Sequence, residues 1–438
     1  MSPCSAIRLP SILFAITLLS FSTGASASEY PGQDNAVTRW NAITTEIMIA
    51  DNRGVLDSRI YAMTQVAVHD AINAIQPRFE SYTPGLPSSP GASVAAAVAS
   101  AAANVLLALV PSQVEVINQR LSVALAALPN GPAKSAGIAL GMQAAQLILD
   151  RRADDGADTP GPPLPSNPSN PNDPYVSTNL PGDYRFDTTP NFGFALYPSW
   201  GLVTPFVIDV AAHALPGPDS LTSFAYAADF AYTKAIGGAV SSLRTAEQER
   251  IAHFWFEASP VGWNRIANNA ILAHRLDAWR SAWVLALLNF AMADGFIAGW
   301  DQKYLHRFWR PETAIREADA DGNPLTHSDP DWVAFLSSPF PLFFTPPLPD
   351  YPSTHTVLGA AAAEVLIAFF GDRFAFKATS TTLPGVSRRF RGFSAAAIEN
   401  GLSRVYGGIH FVRAVIDGYR QGQGIGRAAA IQLKRIDP

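Results

Sequence analysis

RIANNAILAHRLDAWRSAWVLALLNFAMADGFIA, residues 265–298, decides the fold class. Ala, Leu, Val and Ile return every three or four residues along it, the spacing that gathers apolar side chains on one side of an α-helix. The same period recurs toward the N-terminus at 58–74, 92–108, 111–128, 133–150, 220–235 and 245–255, and toward the C-terminus at 353–370, 394–406 and 414–434. Alternating β-branched runs, the mark of strands, are few. The sequence therefore predicts an all-α protein of helical bundles, two of them packed together, connected by long Pro-rich loops.

Between residues 154 and 200 the composition changes to Pro, Asn, Ser and Gly, including PSNPSNPNDP at 165–174. Repeated proline removes amide donors and blocks helix, so this stretch reads as a long loop or a crossover. It divides an N-terminal helical half, 28–200, from a C-terminal half, 201–438. A second Pro-rich stretch, 339–352, runs into a helix beginning at Ser353. Such an entry suits an anion, because the first amides of a helix have no partner within it.

The first 27 residues read as an export signal. Arg8 supplies the positive charge, 9–21 the apolar run and Ala25-Ser26-Ala27 the cleavage site. The run is shorter than the roughly 20 residues a spanning helix needs. The expectation is an exported chain, periplasmic or secreted, with no transmembrane anchor after cleavage. Its single cysteine, Cys4, lies in that signal, which excludes disulfides, thiolate metal sites and cysteine nucleophiles from the mature chain. With 438 residues, 48% of them hydrophobic, stability comes from core burial. The Ala-rich run 94–110 carries Ser100 and Asn104 and stops at Pro111, so it reads as a buried helix and not a membrane span. A net charge of −5 argues against nucleic acid as a partner and makes any anion site local.

Three segments of the last third concentrate polar chemistry. In the first, Lys303 and Arg310 are seven residues apart, and on one continuous helix they would share a face two turns apart. Their aromatic neighbours Trp300, Tyr304, Phe308 and Trp309 argue for partial burial rather than a solvated basic face. In the second, Tyr351-Pro352-Ser353-Thr354-His355, Ser353 stands as N-cap and leaves the Thr354 and His355 amides free. In the third, Gly407 and Gly408 end a helix after Ser403-Arg404 and place His410 at the start of the next. Each segment alone has an ordinary structural explanation. Together they supply Lys303, Arg310, Arg404, Ser353, His355 and His410, an anion-binding set with two acid/base groups.

These segments resemble the superfamily that unites vanadium-dependent haloperoxidases with type-2 phosphatidic acid phosphatases and bacterial class A acid phosphatases. That family's Lys, six residues, Arg-Pro is matched by Lys303, Arg310 and Pro311. Its Pro-Ser-Gly-His is matched by Pro352-Ser353-Thr354-His355, and its Ser-Arg, five residues, His by Ser403, Arg404 and His410. Residues 67–75, 287–294 and 309–316 look like the exported bacterial haloperoxidase-type branch, so the resemblance covers most of the mature chain. Two positions depart from the pattern. Thr354 replaces glycine, which predicts a narrowed pocket with the backbone amide kept. Ala414 stands where many members carry Asp, so His410 needs another group to fix its tautomer. Asp417 lies two turns from His410, too far to substitute directly, and Asp294 is the candidate supporting carboxylate.

Three cations near one point repel by about 3 kcal/mol per pair at roughly 5 Å and an effective dielectric of about 20, so an anion completes such a site. The resemblance implies vanadate as cofactor, His410 as vanadium ligand, and Lys303, Arg310, Arg404, Ser353 and the Thr354 amide around its oxygens. It further implies His355 as acid/base, Trp300 near a halide site, and hydrogen peroxide and halide as substrates giving hypohalous acid. The same cradle serves the alternative, an acid phosphatase in which His410 attacks the phosphorus of a phosphate ester and His355 protonates the leaving alcohol. Ala414 counts slightly against that version. A third reading is an inactive oxyanion-binding protein. Elsewhere His69, His253, His274, His306 and His327 read as structural, and 319–323 resembles a calcium loop but lacks the closing Glu and reads as a turn.

Overall fold

The computed structural model describes residues 35–51, 53–157, 175, 177–185, 195–336 and 345–436. The expected signal, most of the 154–200 stretch and part of the second Pro-rich stretch lie outside the described residues. The described residues form thirteen α-helices. They are α1 (Ala36–Asp51), α2 (Val55–Ile75), α3 (Val94–Leu109), α4 (Val114–Ala126), α5 (Pro132–Arg151), α6 (Phe224–Gly237) and α7 (Ala246–Phe254). They continue with α8 (Ser259–Ala273), α9 (Ala278–His306), α10 (Pro311–Arg316), α11 (Thr354–Phe370), α12 (Phe393–Tyr406) and α13 (Val412–Ala430). A short antiparallel hairpin, β1 (Phe376–Thr379) and β2 (Ser387–Phe390), joins α11 to α12 with Phe376 opposite Phe390.

The fold is all-α; α10 and the hairpin have no counterpart in the expected pattern, and two further elements depart from it. The run 265–298 is not one helix. The chain breaks after Ala273, Arg275 takes a left-handed φ of 54°, and Asp277 caps a new helix by accepting the Arg280 amide at 2.9 Å. The apolar period continues across the break, which hides it from a periodicity reading. Conversely, α1 carries no strong apolar stripe because much of its buried face is polar. Asn41 binds Asn268 and the Asn264 carbonyl, and Thr45 accepts from the Tyr61 hydroxyl. A buried polar network replaces the usual stripe.

One apolar core draws residues from α1, α2, α3, α5, α8, α9, α11, α12 and α13, so helices on both sides of residue 200 share it. The Ala-rich α3 lies inside this core. Helix α9 is long and apolar enough to cross a membrane, and 89% of its most apolar window is buried in the protein. It is the central strut against which α2, α11 and α13 pack.

The tightest pairing is between α11 and α13. Gly418, Gly422 and Gly426 recur every fourth residue on α13, and a Cβ on them would stand 2.7, 2.1 and 2.4 Å from the carbonyl oxygens of Ser353, Val357 and Ala361. The absence of side chains lets the two backbones touch, and that contact starts at Ser353 itself. Gly422→Ala is expected to lower stability by about 1–3 kcal/mol, since the methyl must push the helices apart. Gly424→Ala, which meets only the edge of the partly exposed His213 ring, is expected to be near neutral or stabilising. Equal thermal denaturation midpoints for the two variants would contradict the close-packing account.

Candidate active site

Lys303 lies in the last turn of α9, which ends where Arg307 adopts a left-handed φ of 52° and returns its amide to the Lys303 carbonyl at 2.8 Å. The two cations therefore do not share a continuous helix, contrary to the spacing argument. Arg310 is the N-cap residue of α10, with Pro311 in the first helical position. They converge because both grip the same backbone. Lys303 Nζ donates to the carbonyls of Pro349 (2.7 Å) and Asp350 (2.9 Å), and Arg310 Nε donates to that of Leu348 (2.7 Å). Arg310 Nη1 reaches across to the Ile409 carbonyl at 2.7 Å and lies 3.1 Å from His410 Nε2. One guanidinium thus ties the entry of α11 to the loop before α13.

Ser353 occupies the N-cap position of α11, but its hydroxyl makes no capping bond. It accepts from Thr356 Oγ1 at 2.9 Å, while its amide donates to the Ala414 carbonyl at 2.9 Å. The hydroxyl hydrogen is left free to donate. The Thr354 and His355 amides have no acceptor among the described residues. Thr354 directs its methyl against Gly299 of α9, where a Cβ would come within 2.4 Å of it. Helix contact takes up the bulk that threonine adds over glycine, so the expected narrowing falls on the α9 side.

His355 is partly buried, with Nδ1 2.9 Å from Ser259 Oγ and Nε2 2.9 Å from Asn400 Nδ2. With the Asn400 amide donating, Nε2 is the acceptor and Nδ1 carries the hydrogen. Burial, and then the Arg404 cation, hold this imidazole well below its usual range. Arg404 donates to the Trp255 carbonyl (2.7 Å) and to Ser403 Oγ (2.9 Å), and burial lowers it to about 9. Burial also lowers Lys303, helped by Arg310 and opposed by Asp350. Ser259 and Asn400 carry no signal in the sequence, because neither belongs to a motif and their meeting with His355 is a tertiary event.

His410 follows Gly408, whose φ of 73° lets the loop approach so closely that a Cβ there would stand 2.0 Å from the Gly237 carbonyl. Its Nδ1 lies 2.7 Å from Oδ1 of Asp350, a residue with no exposed surface. Neither Asp350 oxygen completes a well-aligned hydrogen bond among the described residues. Burial pushes this carboxyl up to about 7 against the pull of Arg310 and Lys303. The carboxylate beside His410 is thus Asp350 and not Asp294. Asp294 instead accepts the amides of Phe206 (2.6 Å), Val207 (2.9 Å) and Ile208 (3.2 Å), pinning that loop to α9. Asp417 is engaged by the Tyr351 hydroxyl, Arg413 and Arg420. Trp300, one turn before Lys303, donates to the Leu196 carbonyl at 3.2 Å and packs in an apolar cluster with Leu348.

The arrangement fits a tetrahedral oxyanion. Arg310 Nη2 and Arg404 Nη1 have no hydrogen-bond partner among the described residues, so each guanidinium keeps a donor edge in reserve. Three buried cations face one carboxylate, an imbalance that an anion relieves.

Fold and site together describe an all-helical protein with buried cations and two imidazoles gathered at its helix ends. Residues 283–436 match the family described as the VCPO second helical-bundle domain. In sequence and in fold the chain is thus similar to vanadium haloperoxidases. It is 26% identical over 391 residues to the vanadium chloroperoxidase of Curvularia inaequalis, a match that takes in 73% of this chain and 61% of that protein's length. Among solved structures it is similar to a bacterial vanadium-dependent iodoperoxidase, with a TM-score of 0.76, 26% identity, and coverage of 92% of this chain and 97% of the other. A bacterial vanadium-dependent chloroperoxidase in its holo form shares the fold with a TM-score of 0.67 at 17% identity, over 86% and 91% of the two chains.

The lowered imidazole of His355 has a stability consequence. Its folded value lies below the ordinary 6.5, so as pH falls through 6.5 the unfolded chain takes up a proton that the folded chain refuses. The stability it contributes is complete above that pH and is lost below it, by up to about 1.4 kcal/mol per pH unit. Asp294 and Asp350, raised by burial to about 6 and about 7, act with the opposite sign, so the effect is read as a difference. Between pH 7.5 and 5.5 the anion-free wild type is expected to lose more stability than His355→Asn. Parallel denaturation profiles for the two proteins would refute it.

Proposed function

We propose that this chain is a vanadate-dependent haloperoxidase that oxidises halide with hydrogen peroxide to hypohalous acid. The observation that carries the reading is that Lys303, Arg310, Arg404, Ser353 and His410 are all buried, with Lys303 and Arg310 gripping one backbone segment and Arg310 Nη1 3.1 Å from His410 Nε2. The similarity to the iodoperoxidase over nearly its whole length supports it. Vanadate bound there supplies a Lewis acid that polarises peroxide without a redox change of its own.

The chain's residues would hold the anion in distinct ways. Lys303, Arg310 and Arg404 balance its charge, and the Ser353 hydroxyl and Thr354 amide donate to its oxygens. His410 would be the vanadium ligand through Nε2, the nitrogen that now lies 3.1 Å from Arg310 Nη1. His355, neutral because burial and Arg404 disfavour its charged form, would take up and return a proton once the Asn400 amide releases Nε2. Trp300 and the apolar cluster around it form the dry wall on which a halide would rest. The N-terminal signal would deliver the enzyme outside the cytoplasm.

Phosphoester hydrolysis is the second reading, and one observation favours it. Asp350 at His410 Nδ1 supplies the carboxylate that a nucleophilic imidazole needs and that Ala414 does not provide. Bromide and chloride oxidation after vanadate loading, run beside phosphomonoester hydrolysis without vanadate, separates the two. The expected outcome is vanadate-dependent halide oxidation that disappears in His410→Ala. His355→Ala is expected to cost about 10²- to 10⁴-fold in turnover with vanadate still bound. Hydrolysis inhibited by vanadate, with no halide oxidation, would overturn the peroxidase reading. Wild-type protein that binds vanadate without either activity would mark an oxyanion-binding protein.

A further inference from the structure

Ala414 removes the carboxylate expected four residues after His410, yet a histidine whose Nε2 serves an anion needs its other nitrogen held. The structure places a carboxylate there from a different part of the chain. Asp350 Oδ1 lies 2.7 Å from His410 Nδ1, and Asp350 has no exposed surface. Its backbone is fixed on both sides, the amide donating to the Phe308 carbonyl at 2.8 Å and the carbonyl accepting from Lys303 Nζ at 2.9 Å. Asp350 and Ala414 line the same small cavity, together with Phe411 and Tyr226. The side chains at 414 and 350 thus border one cavity.

We propose that Asp350 is the positioning residue of His410: it holds the imidazole with hydrogen on Nδ1 and the lone pair on Nε2, from the loop before α11 instead of from α13. This deepens the reading of His410 as the oxyanion-facing imidazole and rests on it. An acceptor aligned at Nδ1 selects the tautomer and would keep the Nε2 lone pair toward Arg310 Nη1, which lies 3.1 Å away. Lys303 acts through the same loop, because the carbonyl it grips belongs to Asp350.

The test uses two readouts on the full chain, neither of them turnover. In anion-free, ¹⁵N-histidine-labelled protein, with His410 assigned by its loss in His410→Gln, the Nδ1–H tautomer is expected. Asp350→Asn is expected to shift it toward Nε2–H and to weaken orthovanadate binding, measured by titration calorimetry, by about 10- to 100-fold. Asp350→Ala is expected to lose affinity likewise, and Asp350→Ala with Ala414→Asp to regain it. Wild-type tautomer and wild-type affinity in Asp350→Asn would overturn the proposal. Should the Asp350→Asn protein not fold, an Nε2–H tautomer at His410 in the wild type overturns it equally. A wild type that shows Nδ1–H but binds no orthovanadate would sink the functional reading while the positioning role stands.

Discussion

Buried cations on backbone carbonyls hold this site together. Lys303 and Arg310 have almost no exposed surface, and most of their resolved hydrogen bonds go to carbonyl oxygens of residues 348–350 and 409. A carbonyl satisfies a donor without neutralising it. The chain therefore uses the geometry of these side chains to assemble three segments, while Asp350, 3.9 Å from Arg310 Nη1, offsets only part of their charge. A bound anion would draw on that residual charge, and burial in a low-dielectric interior would magnify it. Assembly of the proposed site and its affinity would then come from the same atoms.

The surrounding helices keep that arrangement from collapsing. Helix α9 carries Lys303 at its end and Asp294 in its middle, where the buried carboxylate fastens residues 206–208 through their amides. Helix α11 brings Ser353, Thr354 and His355 from its first turn, and α12 brings Arg404 from its last. Each functional side chain stands at a helix end, where the backbone has unused donors or acceptors. The helix middles are apolar and supply rigidity. Ser259 from α8 and Asn400 from α12 then set the His355 ring, so α8, α9, α11 and α12, with the N-cap of α10, fix His355 and the three cations.

The sequence made the helices and the cation set legible because both depend on local regularities, an apolar period and short motifs. It concealed what depends on tertiary encounter. The break at Arg275 lies within an unbroken apolar pattern, and α1 escaped notice because Asn41 and Thr45 bury polar groups in pairs that only the folded chain forms. The seven-residue spacing of Lys303 and Arg310 suggested a shared helical face, whereas a left-handed residue at 307 ends the helix between them. The absence of a carboxylate at 414 was visible and raised the right question. Its answer, Asp350, lies 60 residues from His410 and sits in a Pro-rich loop where no periodicity marks it.

The glycines at 418, 422 and 426 index the site along its scaffold. With carbonyl oxygens of α11 seated at each of them, α13 has shallow notches only at intervals of one helical turn, about 5.4 Å. Intermediate positions along the helix axis would drive larger side chains into those oxygens. The loop bearing His410 therefore meets the first turn of α11 in the one register these notches favour. Descent of new specificities on this scaffold would then proceed by exchanging side chains and loops around a fixed frame, with the distance between the two motif segments inherited unchanged.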